Sequence, residues 1–160
     1  MADRRMTSFL FVCTGNICRS PLAELAMRRE ADNRGLTLDI DSAGTGHWNL
    51  GEAPDPRAQA VAAQQGLDAT SHRARLVTKD DFFRFDHIIA LDHSHLIALK
   101  QMQPKNARAQ VSLMLDHVST RAGQDVIDPY YGTDEGFLTT WADVEAGCKA
   151  LAQSVLGPRP

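Results

Sequence analysis

The stretch that decides the fold is Phe9-Leu10-Phe11-Val12-Cys13-Thr14-Gly15-Asn16-Ile17-Cys18-Arg19-Ser20-Pro21-Leu22-Ala23. Phe9 to Val12 is an uninterrupted apolar run, the pattern of a short strand buried on both faces. It runs straight into Cys13, and a polar turn of Thr14, Gly15 and Asn16 follows. Ser20 and Pro21 then open a helical pattern, with Pro at an early position where its missing N–H costs nothing. A strand that empties into a loop and opens a helix makes an anion site. Loop amides point inward, and the helix N-terminus adds positive potential. Gly15 is expected to supply the unusual backbone that such a loop needs. The loop carries a thiol at its start and a guanidinium after five intervening residues, enough chain to wrap one oxyanion. Cys13 is expected beneath the bound group and Arg19 above it. A helix N-terminus and a neighbouring arginine favour the thiolate, which is the nucleophilic form. Arg also binds phosphate bidentately, which Lys cannot do.

Outward from this stretch, strand and helix patterns alternate. Leu22, Leu25 and Ala26 give the first helix an inner stripe, and Gly35 is its expected left-handed end. Residues 38–43 alternate as a second strand. Residues 44–56 form a long loop rich in Gly and Pro, and residues 57–65 an Ala-rich helix ended by Gly66. After an irregular basic segment, a short helix is expected at 80–84, a strand at 86–91, a helix at 93–102 and a strand at 110–115. A loop at 123–133 and a long helix at 135–156 close the chain. This order predicts an α/β fold: a single three-layer domain, its four-stranded parallel sheet flanked by helices and its phosphate-binding loop after the first strand. The ligand is expected beyond the carboxyl ends of the strands, where Cys13 lies. One domain is expected over residues 1–160, with a flexible segment at 1–7 and fraying at 157–160.

The bulk numbers exclude several classes of function. The chain has 160 residues, 43% of them hydrophobic, which suffices for one full core. A net charge of -3 gives no basic field for nucleic acid. No apolar run is long enough to cross a membrane, so no membrane partner is expected. The first apolar run is too short for a signal-peptide core, and three cysteines do not make a secreted disulfide framework. The cytoplasm is the expected compartment. His47, His87, His93, His95 and His117 lack metal-ligand spacing, and no metal is expected. Cys148 falls on the helical stripe Phe137, Trp141, Val144, Cys148, Leu151, Val155 and is expected to pack in the core.

Asp128 stands in Asp128-Pro129-Tyr130-Tyr131, a turn setting by itself. Beside a phosphate-binding thiol it is also a candidate acid. Protonating a departing oxyanion in the transition state is worth roughly 10²–10⁴-fold.

The segment from Cys13 to Pro21 resembles the phosphate-binding loop of the low-molecular-weight protein tyrosine phosphatases. A bare Cys-X5-Arg is a weak signal, but Gly-Asn inside the loop, a second Cys and Ser-Pro behind it make a strong one. Ser42-Ala43-Gly44-Thr45-Gly46-His47-Trp48-Asn49, Asp55-Pro56-Arg57, Ser71-His72-Arg73-Ala74-Arg75 and Asp128-Pro129-Tyr130 are similar to further blocks of the family, in the same order. The resemblance implies a two-step phosphatase, independent of metals and cofactors, that hydrolyses phosphotyrosine and small aryl phosphates. Cys13 would be the nucleophile, forming a cysteinyl-phosphate. Arg19 and the loop residues Thr14, Gly15, Asn16, Ile17, Cys18 and Ser20 would hold the phosphate. Asp128 would serve as acid and then as base, with a rate maximum on the acid side of neutrality. Trp48, Asn49 and Tyr130 would wall an aryl slot. Ser42 and His72 would support the loop, and Ser20 would both cap the helix and donate to the thiolate. Cys18 would form a reversible disulfide with Cys13. The implied partner is a phosphotyrosine-bearing protein, with inorganic phosphate as product and inhibitor.

Three other functions are compatible with such a loop. Protein arginine phosphatases resemble it but tend to carry Thr where this loop has Ile17. Thioredoxin-coupled arsenate reductases need further cysteines, which residues 79–104 lack. An idle phosphate-binding module would have no need to keep Cys13, Arg19 and Asp128 together.

Overall fold

A computed structural model describes residues 6–157. The expected flexible and frayed ends lie, at 1–5 and 158–160, outside the described residues. Thr7, just inside, is tied down by the Asp39 amide, which donates to its carbonyl at 3.0 Å.

The elements follow in the order β1 (Ser8–Cys13), α1 (Arg19–Asn33), β2 (Asp39–Gly44), α2 (Pro56–Gln64), α3 (Asp81–Arg84), β3 (His87–Ala90), α4 (His93–Met102), β4 (Gln110–Leu113) and α5 (Asp134–Leu156). The four strands form one parallel sheet in the order β2-β1-β3-β4. β1 is therefore internal, and its apolar run serves two cores. Phe9, Phe11 and Cys13 join the core beneath α1 and α5, whereas Leu10 and Val12 join the one formed with Phe82, Phe85 and Leu99. The expected stripe of α5 lies in the first core, with Cys148 buried against the Ala23 carbonyl of α1 at 3.4 Å.

Gly35 has the left-handed φ of 65° expected at the end of α1, and the Leu36 amide closes back on Ala31 O at 3.0 Å. One boundary departs from expectation. The apolar run after Gln110 continues to Leu115, but pairing stops at Leu113 and residues 114–117 form a 3-10 turn. Met114 and Leu115 leave the sheet edge to plug the core under α5, where a Cβ on Gly147 would come within 2.6 Å of Met114. The run reports burial, and burial does not require a strand.

Candidate active site

The loop after β1 sits beyond the carboxyl end of the sheet and is pinned from outside. The amides of Thr45, Gly46 and Asp55 donate to the carbonyls of Cys13, Thr14 and Ile17 at 2.9, 3.0 and 2.9 Å. His72 Nε2 donates to Asn16 O at 2.9 Å. Carbonyls held outward leave the loop amides facing the hollow. Among the described residues none of the amides from Thr14 to Cys18 has another partner.

The left-handed residue of the loop is Asn16, with φ 58°, and not Gly15 as expected. Asn tolerates this region because its side chain can bond locally. Here Asn16 Oδ1 accepts from the Arg75 amide at 3.0 Å, while Nδ2 donates to Ser20 Oγ at 2.8 Å and to Ser42 Oγ at 3.0 Å. Ser42 Oγ in turn donates to Glu24 Oε1 at 2.8 Å. The glycine that the backbone requires is Gly44, at the end of β2, where a Cβ would come within 2.5 Å of Thr14 O.

Ser20 is not the helix cap. α1 begins at Arg19, with Cys18 at the cap position and no side-chain cap bond. Ser20 therefore sits inside the first turn. Its Oγ accepts from Asn16 Nδ2 and lies 2.9 Å from Cys13 Sγ and 3.4 Å from Ala43 O, and its amide donates to the sulfur at 3.4 Å. The amide of Ser20 thus donates to Cys13 and its hydroxyl lies within hydrogen-bond reach of the same sulfur, at a helix N-terminus that favours an anion.

Arg19 is 3% exposed. Nη1 donates to Asp92 at 2.8 Å and to Val126 O at 2.9 Å, and Nη2 lies 3.6 Å from Asp128 Oδ2. Asp128 is 43% exposed, and its Oδ1 accepts from the Tyr130 amide at 3.0 Å. A cavity of about 430 Å³ opens over the loop. Cys13, Thr14, Gly15, Ile17, Cys18 and Arg19 form its floor, and Trp48, Asn49, Asp128, Tyr130 and Tyr131 its sides. Trp48 is 70% exposed and stacks on His47 at 5.4 Å, so it is a rim residue and fills no core gap. The Asn16 and Ser20 side chains, with Ser42 and His72, hydrogen-bond to one another or to the loop backbone on the side away from the cavity, and none of the four lines it.

Asp92 and His95 are the residues that the sequence reading missed. Asp92 follows β3, next to β1, at the sheet end where ligands bind. It caps α4 reciprocally with His95, and Asp-X-X-His at a helix start was the available signal. Burial would raise the Asp92 carboxyl, but hydrogen bonds from Ser94 and Arg19 and the nearby positive charge outweigh it and bring it to about 2. His95 is buried, and its Nε2 lies 2.8 Å from Thr14 Oγ1 of the loop. Burial, opposed by the Asp92 charge, lowers its pKa to about 4.

Acid should therefore weaken the fold here. Unfolded His95 takes a proton near ~6.5 and native His95 only near 4, so the unfolded state binds more protons in that window and stability falls as pH falls. Asp92 continues the same trend between 3.8 and about 2. A His95→Gln variant should melt with a shallower pH dependence between pH 6.5 and 4.5, by about 1–3 kcal/mol over that range. Parallel melting curves for the two proteins would refute the assignment.

Sheet, loop and cavity together define a class: an α/β protein with a thiol at the floor of an oxyanion loop and a carboxyl at its mouth. The profile described as low molecular weight phosphotyrosine protein phosphatase matches residues 8–157. A low molecular weight phosphotyrosine protein phosphatase of Schizosaccharomyces pombe is 44% identical over 131 residues, covering 80% of this chain and 83% of that protein. The crystal structure of YfkJ from Bacillus subtilis superposes with a TM-score of 0.89 at 35% identity, over 97% of this chain and 98% of that one. A solved Drosophila protein described as an arginine phosphatase gives a TM-score of 0.86 at 32% identity, over 91% and 96%. The chain belongs to the low molecular weight phosphotyrosine protein phosphatase family.

Proposed function

We propose that this protein hydrolyses phosphotyrosine in proteins, and small aryl phosphates, through a cysteinyl-phosphate and without a metal. The observation that carries the reading is the convergence of Cys13, Arg19 and Asp128 on one cavity, with the Ser20 amide donating to the sulfur. The phosphoryl oxygens sit among the loop amides and Arg19, which meet their charge as it redistributes. Cys13 attacks phosphorus as the thiolate, and Asp128 gives its proton to the departing phenolate oxygen. Asp128, now a base, takes a proton from the water that releases inorganic phosphate from sulfur. The product occupies the same cradle, so inorganic phosphate competes with substrate. Trp48, Asn49 and Tyr130 flank the aryl ring. Asp128 must carry a proton for the first step and give it up before the second, so the rate passes through an optimum with pH.

Burial, reinforced by the Asp55 charge, pushes the Cys18 thiol well above its ordinary range. Cys18 is thus protonated at rest and has to give up that proton to attack an oxidised Cys13. A Cys13 sulfenic acid condenses with it to a disulfide and loses water.

Arginine phosphatase activity is the second reading, favoured by the likeness to the Drosophila protein. Against it, Ile17 and Trp48 give this cavity apolar surface suited to a flat ring. The deciding assay follows phosphotyrosine, p-nitrophenyl phosphate and phosphoarginine at mildly acidic pH with EDTA present. Turnover of both aryl phosphates, unaffected by chelator and at least ~10-fold faster than phosphoarginine, is expected. Preference for phosphoarginine would replace the first reading with the second, and loss of activity to EDTA would overturn the metal-free mechanism.

A further inference from the structure

Arg57 lies outside the cavity, yet its guanidinium reaches the segment that carries Asp128. Nη2 donates to Tyr130 O at 3.0 Å and Nη1 to Gly132 O at 3.3 Å. The same group pairs with Asp55, Nε to Oδ1 at 3.1 Å and Nη2 to Oδ2 at 3.0 Å. Asp55 is buried, caps α2, and donates its amide to Ile17 O in the phosphate loop at 2.9 Å. The guanidinium also packs over the Phe137 ring at 4.5 Å, in the first turns of α5, and lies 5.7 Å from the centre of the Tyr130 ring.

The segment it holds has few other anchors. Its own backbone bonds are local: Gly132 N to Pro129 O, and Tyr130 N to the Asp128 side chain. Ile127 and Tyr131 are exposed. Among the described residues, the backbone tethers before it are both at Val126, N to Leu91 O and O from Arg19 Nη1, and Arg57 supplies the next.

We propose that Arg57 is a positioning residue for leaving-group protonation. Through Asp55 it grips the phosphate loop, and through the Tyr130 and Gly132 carbonyls it grips the acid segment, so it sets how far Asp128 stands from the departing oxygen. The proposal rests on the reading of Asp128 as the acid. The task suits Arg, because a planar fork can serve a carboxylate and two carbonyls at once while lying on a ring. A lysine ammonium cannot.

The test uses two leaving groups. Nitrophenolate departs with little help, whereas the phenolate of phosphotyrosine needs the proton. kcat/KM is measured for p-nitrophenyl phosphate and phosphotyrosine in the wild type, Arg57→Ala, Arg57→Lys, Asp128→Ala and the Arg57→Ala/Asp128→Ala double variant. Inhibition by inorganic phosphate on the same preparations reports an intact loop. Arg57→Ala is expected to lose ~10–100-fold on phosphotyrosine and under ~3-fold on p-nitrophenyl phosphate, with phosphate inhibition unchanged. In the double variant the Arg57 change should cost under ~3-fold more than Asp128→Ala alone, because the group it positions is gone. Arg57→Lys, which keeps the charge beside Asp55, should show the same selectivity at ~5-fold or more and carries the test if the alanine variant melts. Equal losses on the two substrates, or a full Arg57 loss on top of Asp128→Ala, would overturn the proposal and leave Asp128 as the acid. An Asp128→Ala protein without leaving-group selectivity would instead remove the reading beneath it.

Discussion

A Cys13→Ser protein should bind inorganic phosphate and turn over no phosphotyrosine, a loss of ~10⁴-fold or more. Serine keeps the position at the floor of the cavity and can still take a hydrogen bond from Ser20. The loop carbonyls remain pinned by Thr45, Gly46, Asp55 and His72, and Arg19 stays on Asp92, so the cradle survives. What disappears is the nucleophile, because a hydroxyl is far harder to ionise than a thiol, and the Ser20 amide at this site favours an anion without supplying a base. Phosphate affinity by titration and turnover by phosphate release check the two halves separately. Turnover within ~10-fold of wild type would show that the sulfur does not attack.

Asp128→Ala should lower kcat/KM for phosphotyrosine by roughly 10²–10⁴-fold and remove the fall in rate on the alkaline side of the optimum. Asp128 sits at the exposed mouth, anchored by the Tyr130 amide, with Arg19 Nη2 at 3.6 Å. Among the described residues no other carboxyl lines the cavity. Asp92, which shares Arg19 with Asp128, is committed to Arg19 and Ser94 and held near 2, so it carries no proton at working pH. Retention of the alkaline limb in the variant would assign the proton to another group.

Much of the fold was legible because its signals are local. The run from Phe9 to Val12 names a strand buried on both faces, and the change of period at Ser20 names a helix. Strands and helices alternating after them leave a parallel sheet as the solution that buries every face. The thiol, the loop and the guanidinium lie within one turn of chain, so their joint chemistry could be read directly. The remaining features depend on contacts between distant residues. Asp92 meets Arg19 across 73 positions and His95 meets Thr14 across 81. Nothing in the local pattern of either segment announces the pairing. Asn16, not Gly15, takes the left-handed backbone because Arg75, Ser20 and Ser42 supply partners for its side chain. Ser20 looked like a cap by residue type. The helix starts one residue earlier, and its hydroxyl goes to the sulfur instead. Arg57 was visible only as part of Asp-X-Arg, since the carbonyls it holds lie 73 and 75 residues downstream.

The most direct measurement is to mix the enzyme with an aryl phosphate, quench in acid within the first turnovers, and locate the phosphoryl group by peptide mass spectrometry. Phosphate on Cys13, formed as fast as the phenol is released and discharged more slowly in Asp128→Ala, is the expected result. Phenol released with no phosphate on the enzyme at any time, or phosphate on a residue other than Cys13, would contradict a cysteinyl-phosphate mechanism.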